Sequence, residues 1–106
     1  MSVSLRAGGY EVVTAQDAVT AVSVARTSHP DLIVLDIGLP GGDGFLVMER
    51  LSHLTTVIPI IVVSARESGF NRERALTAGA QAFFQKPVDR DGFMAAVREV
   101  LEHVTQ

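Results

Sequence analysis

Short apolar runs alternate with helical patterns along the chain. Four runs are bounded by turn residues and predict strands; they are Glu11–Ala15, Leu32–Asp36, Ile60–Ala65 and Ala82–Gln85. The middle two are continuous and rich in β-branched residues instead of alternating with polar ones. That pattern is typical of central strands in a parallel sheet that is covered on both faces.

Apolar residues recur at helical spacing between and after these runs. The segments that they predict as helices are 18–25, 45–54, 67–78 and 93–104. Gly79 is suited to cap the C-terminus of the third helix, and Asp89 the N-terminus of the fourth. Regular alternation of strand and helix predicts one α/β domain, an open parallel sheet with right-handed crossovers and helices on both faces.

Composition narrows the class of protein. The 106 residues include no Cys, which excludes disulfides, thiol nucleophiles and cysteine-based metal sites. The net charge is −3 and the arginines are scattered, so no nucleic-acid-binding patch is expected. The chain has no secretory signal pattern and no run of eighteen apolar residues, so we expect a cytoplasmic protein that does not enter the membrane.

Three polar residues stand where predicted strands end. They are Asp36, Ser64 and Lys86, the only lysine in the chain. In open α/β sheets, ligands bind at the carboxyl ends of the strands. A carboxylate there can bind a metal or attack phosphorus, a hydroxyl can donate to a phosphoryl oxygen, and an ammonium can neutralise its charge. Each residue alone could be structural, as a turn cap, a local backbone partner or a solvated lysine, but their convergence favours a site.

The loop at 38–44 carries four glycines and one proline. No Gly-Lys-Ser/Thr sequence follows, so a Walker-type nucleotide site is disfavoured. Asp43 is interpreted as the N-cap of the next helix more readily than as an acidic ligand.

Three ordered blocks, at 33–44, 60–66 and 82–88, resemble the receiver domain of two-component response regulators, which has a flavodoxin-like fold. The resemblance runs from Tyr10 to the C-terminus. It implies that Asp36 is the phosphoacceptor, which takes a phosphoryl group from a phosphohistidine on a histidine kinase or phosphotransfer protein. Ser64 would be the switch hydroxyl and Lys86 the contact to the phosphoryl group.

The same resemblance assigns further roles. Phe83 matches the switch aromatic, although a core position is compatible with that role. Ala65 leaves room for the phosphoryl group, and Pro87 implies a cis bond after Lys86. The carbonyl of Gly38 would bind the metal together with Asp36. Two further implications are that Arg66 tunes kinetics, and that residues 67–86 with the last helix form a partner-binding face.

The beginning of the chain departs from the family pattern. The family starts with a strand that ends in an acidic pair holding Mg²⁺, followed by a long helix. Here 1–9 are interpreted as the last turn of that helix and its glycine cap, so the domain is expected to be N-terminally truncated. No acidic residue precedes Glu11, so we expect weak or absent Mg²⁺ binding and impaired phosphoryl transfer. We expect no enzyme activity on a separate substrate.

In the family's strand order, 2-1-3-4-5, the missing strand is central. Its loss would leave a gap between the strands at 11–15 and 32–36. Those strands could close up, a second chain could fill the gap, or the monomer could be marginally folded. Of these, a homodimer is our expectation.

Three functions therefore stand against one another. The first is a phosphorylatable receiver. The second is a degenerate receiver that is not phosphorylated and serves as a protein-interaction or dimerisation module. The third, a small flavin- or nucleotide-binding enzyme on the same sheet, lacks a phosphate-binding loop.

Overall fold

A computed structural model describes residues 3–7, 9–37, 48–50, 58–65 and 71–104. Five strands form one sheet in the order β1-β2-β3-β4-β5. The strands are β1 Val3–Ala7, β2 Tyr10–Ala15, β3 Leu32–Ile37, β4 Ile60–Ser64 and β5 Ala82–Gln85. The helices are α1 Ala18–Ser28, α2 Arg72–Thr77 and α3 Arg90–Val104, and 48–50 are also helical.

Strands β2 to β5 are parallel, and their bounds match the predicted strands to within one residue. The apolar run of β4 is buried along its whole length, as is β3 except at Asp36. The predicted fold class, a flavodoxin-like open parallel sheet with helices on both faces, is confirmed.

The two faces of the sheet bury different sets of side chains. One face packs against α1, Met48 and α2. The buried side chains of this core include Ala21, Ala25, Ala75, Ile33, Leu35, Val62 and Phe83. The other face packs against α3 alone among the described helices, through Val97, Val100 and Leu101. Right-handed crossovers that step in one direction across a sheet put their helices on one face, so only the helix after β5 reaches the other.

Caps define the helix ends that the sequence predicted. The backbone N–H of Gly92 donates to Asp89 Oδ2 at 3.2 Å, which confirms Asp89 as an N-cap. Gly79 has φ +110°, and the Gly79 and Ala80 N–H groups donate to the carbonyls of Leu76 and Ala75. This is the Schellman pattern that a glycine after a helix favours. Residues Asp43, Gly38 and Arg66 lie outside the described part of the chain, as do most of the predicted second helix and the start of the third.

The prediction for 1–9 was wrong. Residues Val3–Ala7 form a strand, not the end of a helix, and pair antiparallel with β2 in the register Ala7↔Tyr10 to Val3↔Thr14. Two glycines separate these strands, and Gly9 has φ +88°. A Gly-Gly pair is a hairpin signal as well as a helix-cap signal. The edge of β2 offers Val3–Ala7 a strand to pair with, and this favours a hairpin turn over a helix cap at the two glycines.

The gap expected between β2 and β3 is closed within one chain. Val12 pairs with Leu32 and Ala15 with Leu35, so the two strands are direct neighbours. Of the three outcomes considered, closing up is the one in this structure. The homodimer stays a prediction. No helix within the described ranges is both long and apolar enough to cross a membrane.

Candidate functional site

The three predicted site residues meet at the carboxyl edge of neighbouring strands. Asp36 is opposite Val63 in the register, and Ser64 is opposite Ile37 and Gln85, with Lys86 one residue beyond β5. The N–H of Ala65 donates to the Ile37 carbonyl at 2.8 Å, and the N–H of Lys86 to the Ser64 carbonyl at 2.9 Å. These bonds continue the ladder past the strand ends and fix the spacing of the site.

Lys86 and Asp36 form an ion pair. The Lys86 Nζ atom is 2.9 Å from Asp36 Oδ1, with 42% of the lysine side chain and 29% of the aspartate side chain exposed. Oδ1 itself is buried and accepts no hydrogen bond from the described residues, so the ammonium of Lys86 is its electrostatic partner. The carboxylate therefore keeps acceptor capacity next to a cation, in a place where buried oxygens are normally satisfied.

Ser64 is fully buried, and its Oγ donates to the carbonyl of Ala65 at 3.2 Å. This is the local backbone bond that a purely structural serine would make. A switch role remains compatible with it, because a hydroxyl can exchange one acceptor for another by rotation about χ1.

The remaining predicted residues surround these three. Phe83 is 7% exposed and belongs to the core on the α1 face, so its predicted core position is confirmed. Ala65 is half-buried directly after β4, and the Lys86–Pro87 bond is cis, as predicted. Phe84 lies on the other face and packs edge-on against Phe93, with ring centroids 5.4 Å apart. The roles inferred for Phe83, Ala65 and Pro87 stay predictions.

The donors that the structure describes do not fit a Mg²⁺ site. Mg²⁺ requires near-octahedral oxygen coordination. Within the described residues, no three Asp, Glu, His or Cys side chains are grouped so that they could hold a metal ion. Asp36 is the carboxylate among the three predicted site residues, and the ammonium of Lys86 already contacts its Oδ1.

Sequence reasoning named the side chains but missed the backbone bonds that join them. The Ala65 to Ile37 and Lys86 to Ser64 bonds depend on the register between strands that are distant in sequence. Apolar run lengths locate strand ends to within a residue, but these continuous apolar runs lack the alternation that would set the register of one strand against the next.

Comparison with known proteins identifies the class. The family model described as "Response regulator receiver domain" matches residues 1–98. The chain therefore belongs to the receiver domain family of two-component response regulators.

Several curated relatives are similar over nearly the whole chain. This chain is 37% identical over 102 residues to the response regulator PleD of Caulobacter vibrioides, and the match covers 94% of this chain and 22% of that protein. It is 35% identical over 105 residues to the transcriptional regulatory protein KdpE of Mycobacterium tuberculosis, covering 99% and 46% respectively. The chain thus spans less than half the length of these relatives.

Solved structures agree on the fold. The signal receiver domain of a LuxO repressor protein from Vibrio parahaemolyticus superposes with a TM-score of 0.72 at 24% identity, covering 86% of this chain and 70% of that one. The receiver domain of the Francisella response regulator 1452 has a TM-score of 0.69 at 26% identity, covering 83% and 73%.

Proposed function

We propose that Asp36 accepts a phosphoryl group from a phosphohistidine on a histidine kinase or phosphotransfer protein. One observation carries the proposal: Asp36, Ser64 and Lys86 converge at the ends of three adjacent strands, with Lys86 Nζ 2.9 Å from Asp36 Oδ1. A nucleophilic carboxylate beside a fixed cation, with a hydroxyl one strand away, supplies the protein side chains for phosphoryl transfer to an aspartate, although not the metal that speeds it.

The reaction balances as an in-line displacement. An oxygen of the Asp36 carboxylate attacks phosphorus, the phosphorus–nitrogen bond of the donor breaks, and the imidazole leaves with the electron pair and takes a proton from water. Lys86 offsets the negative charge that the acyl phosphate brings. Ser64 exchanges its bond to the Ala65 carbonyl for a phosphoryl oxygen. The chain would thus catalyse its own phosphorylation from that donor, and attack of water on phosphorus would later release inorganic phosphate and restore the Asp36 carboxylate.

Receiver domains generally use Mg²⁺ for phosphorylation. Since the described donors do not fit that ion, we propose that this chain binds Mg²⁺ weakly and is phosphorylated slowly. Titration followed by backbone amide NMR shifts around Asp36 is the direct measurement. A dissociation constant tighter than about 1 mM would contradict this part of the proposal.

Phosphorylation itself is tested by incubating the chain with acetyl phosphate, with and without Mg²⁺, and measuring intact mass. We expect a slow gain of one phosphoryl group that hydroxylamine removes. Asp36→Asn should abolish the gain, whereas Asp91→Asn, a change at an exposed carboxylate in the first turn of α3, should leave it unchanged.

A second function follows if no phosphoryl group is gained at any Mg²⁺ concentration. The chain would then be a receiver that is not phosphorylated and acts as a protein-interaction or dimerisation module. The observation that favours it is that the Asp36 carboxylate is already contacted by Lys86 and belongs to no group of three metal-ligating side chains among the described residues. In that case Asp36→Asn should leave partner binding unchanged.

A further inference from the structure

A groove beside α1 lies apart from the Asp36 site. Its cavity is about 580 Å³, and neither Asp36, Ser64 nor Lys86 lines it. We call it the α1 groove; its described lining residues are Val19, Val22, Ser23, Arg26, Thr27 and Arg50. The cavity is within the size range of ligand sites. It is large enough to accommodate several side chains of a partner.

The α1 lining residues form one stripe along the helix. Positions 19, 22, 23 and 26 follow the i, i+3, i+4, i+7 spacing, next to the core stripe that contains Ala21 and Ala25. Val19 is 72% exposed, more than Leu76 or Met94, the other exposed large apolar residues of the described chain. The apolar part of the groove on α1 is therefore the exposed Val19 and the half-buried Val22, whose inner side packs against the core.

Two cations line the groove beside these valines. Arg26 and Arg50 are both exposed, and neither makes an ion pair with any residue that the structure describes. They stand in a chain whose net charge is −3. The Thr27 hydroxyl is already used, since it donates to the Ser23 carbonyl at 2.8 Å. The polar selectivity of the groove therefore comes mainly from the two guanidiniums, which suit carboxylates because each can donate two parallel hydrogen bonds.

We propose that the α1 groove binds an acidic amphipathic helix of a partner protein. The apolar side chains of that helix would lie on Val19 and Val22, and its Asp or Glu residues would face Arg26 and Arg50. A helix fits because its anchors repeat at the same spacing as the stripe on α1. The two arginines favour a negatively charged partner by charge complementarity. Val19 and Val22 favour a partner that also has apolar side chains over a simple anion.

The test is a selection of displayed amphipathic helical peptides, with randomised polar positions, on the whole chain. We expect enriched peptides with apolar residues at i, i+3 or i+4 and i+7, flanked by Asp or Glu. Arg26→Gln and Arg50→Gln should each weaken a selected peptide about tenfold, and the double variant by about a hundredfold. Val19→Ser should also weaken it. Circular dichroism checks that α1 is retained in each variant.

Matched controls separate the groove from general charge. Arg72→Gln and Arg98→Gln change exposed arginines outside the groove and should leave affinity unchanged. Asp36→Asn should also bind normally, because the proposal is independent of phosphorylation. Neutral or basic selected peptides, affinity that survives the double variant, or sedimentation of the chain with anionic lipid vesicles through Arg26 and Arg50 would each overturn it.

Discussion

The contact between Lys86 and Asp36 adds little to the free energy of unfolding, although both residues are well placed for the site. The lysine side chain is 42% exposed, so water screens the pair. Its position comes from the sheet, through the bond from the Lys86 N–H to the Ser64 carbonyl. The pair is thus a preset charge arrangement more than a source of folding free energy.

A double-mutant cycle measures this directly. For Lys86→Met, Asp36→Asn and their combination, we expect a coupling of about 0.2–1 kcal/mol in the free energy of unfolding. Urea denaturation of the four proteins gives the value. A coupling of about 3 kcal/mol or more, as for a buried pair broken on one side, would contradict the screened description.

His29 is a second residue whose backbone decides its effect. It ends α1 with φ +46° and ψ +56°, in the left-handed region. A residue with a Cβ is disfavoured there. We expect His29→Gly to raise the free energy of unfolding by about 0.5–1 kcal/mol, after the greater flexibility of glycine in the unfolded chain is taken into account. His29→Ala is the control and should give no gain in chemical denaturation; equal effects of the two changes would refute the argument.

At the scale of elements, α1 depends on its N-terminal cap. The side chain of Asp17 accepts a hydrogen bond from the Thr20 N–H at 2.8 Å. That bond favours the charged carboxylate and lowers the pKa of Asp17 below its ordinary value. Folding is therefore favoured by this group above the pKa of an unfolded aspartate, about 4, and the benefit disappears as the pH falls through the folded pKa.

The cap therefore predicts a pH-dependent difference between variants. Asp17→Asn keeps a capping side chain but cannot titrate, so its melting temperature should approach or exceed that of the unaltered chain as the pH falls from about 6 to 2. Asp17→Ala should melt lower at neutral pH. Thermal unfolding at each pH is the measurement, and an advantage of the unaltered chain that grows on acidification would contradict the assignment.

The hairpin of β1 and β2 marks how far an element can be predicted from local sequence. The sequence predicted a turn at both glycines, but it predicted a helix cap where the structure has a hairpin. Gly9 at φ +88° would serve equally after a helix or between strands. By contrast, α3 was predicted correctly because its apolar stripe, with Val97, Val100 and Leu101, has a period that only a helix can bury on one side.

For the whole molecule, the direction of winding determines what covers the sheet. The described strands succeed one another without reversal, so α1, Met48 and α2 share one face and α3 alone serves the other. The sheet ends at β1 on one side and β5 on the other. Such edges present backbone N–H and C=O groups that a second strand can pair with.

The two sheet edges, at β1 and β5, are where the expected homodimer could form. We expect sedimentation equilibrium to show a monomer–dimer equilibrium that shifts to dimer as concentration rises, since identical edges can pair about a twofold axis. A chain that stays monomeric at the highest attainable concentration would exclude the homodimer.

The sequence by itself determined the strands β2 to β5, the fold class and the position of Asp36, Ser64 and Lys86 at the strand ends. Buried parallel strands require continuous apolar runs, and the polar residues Asp36, Ser64 and Lys86 interrupt the pattern where each run ends. Tertiary structure decided the rest: the direct pairing of β2 with β3, the strand at Val3–Ala7, and the 2.9 Å contact of Lys86 with Asp36. The reason is that register and edge pairing depend on segments distant along the chain, whose preferences no local pattern records.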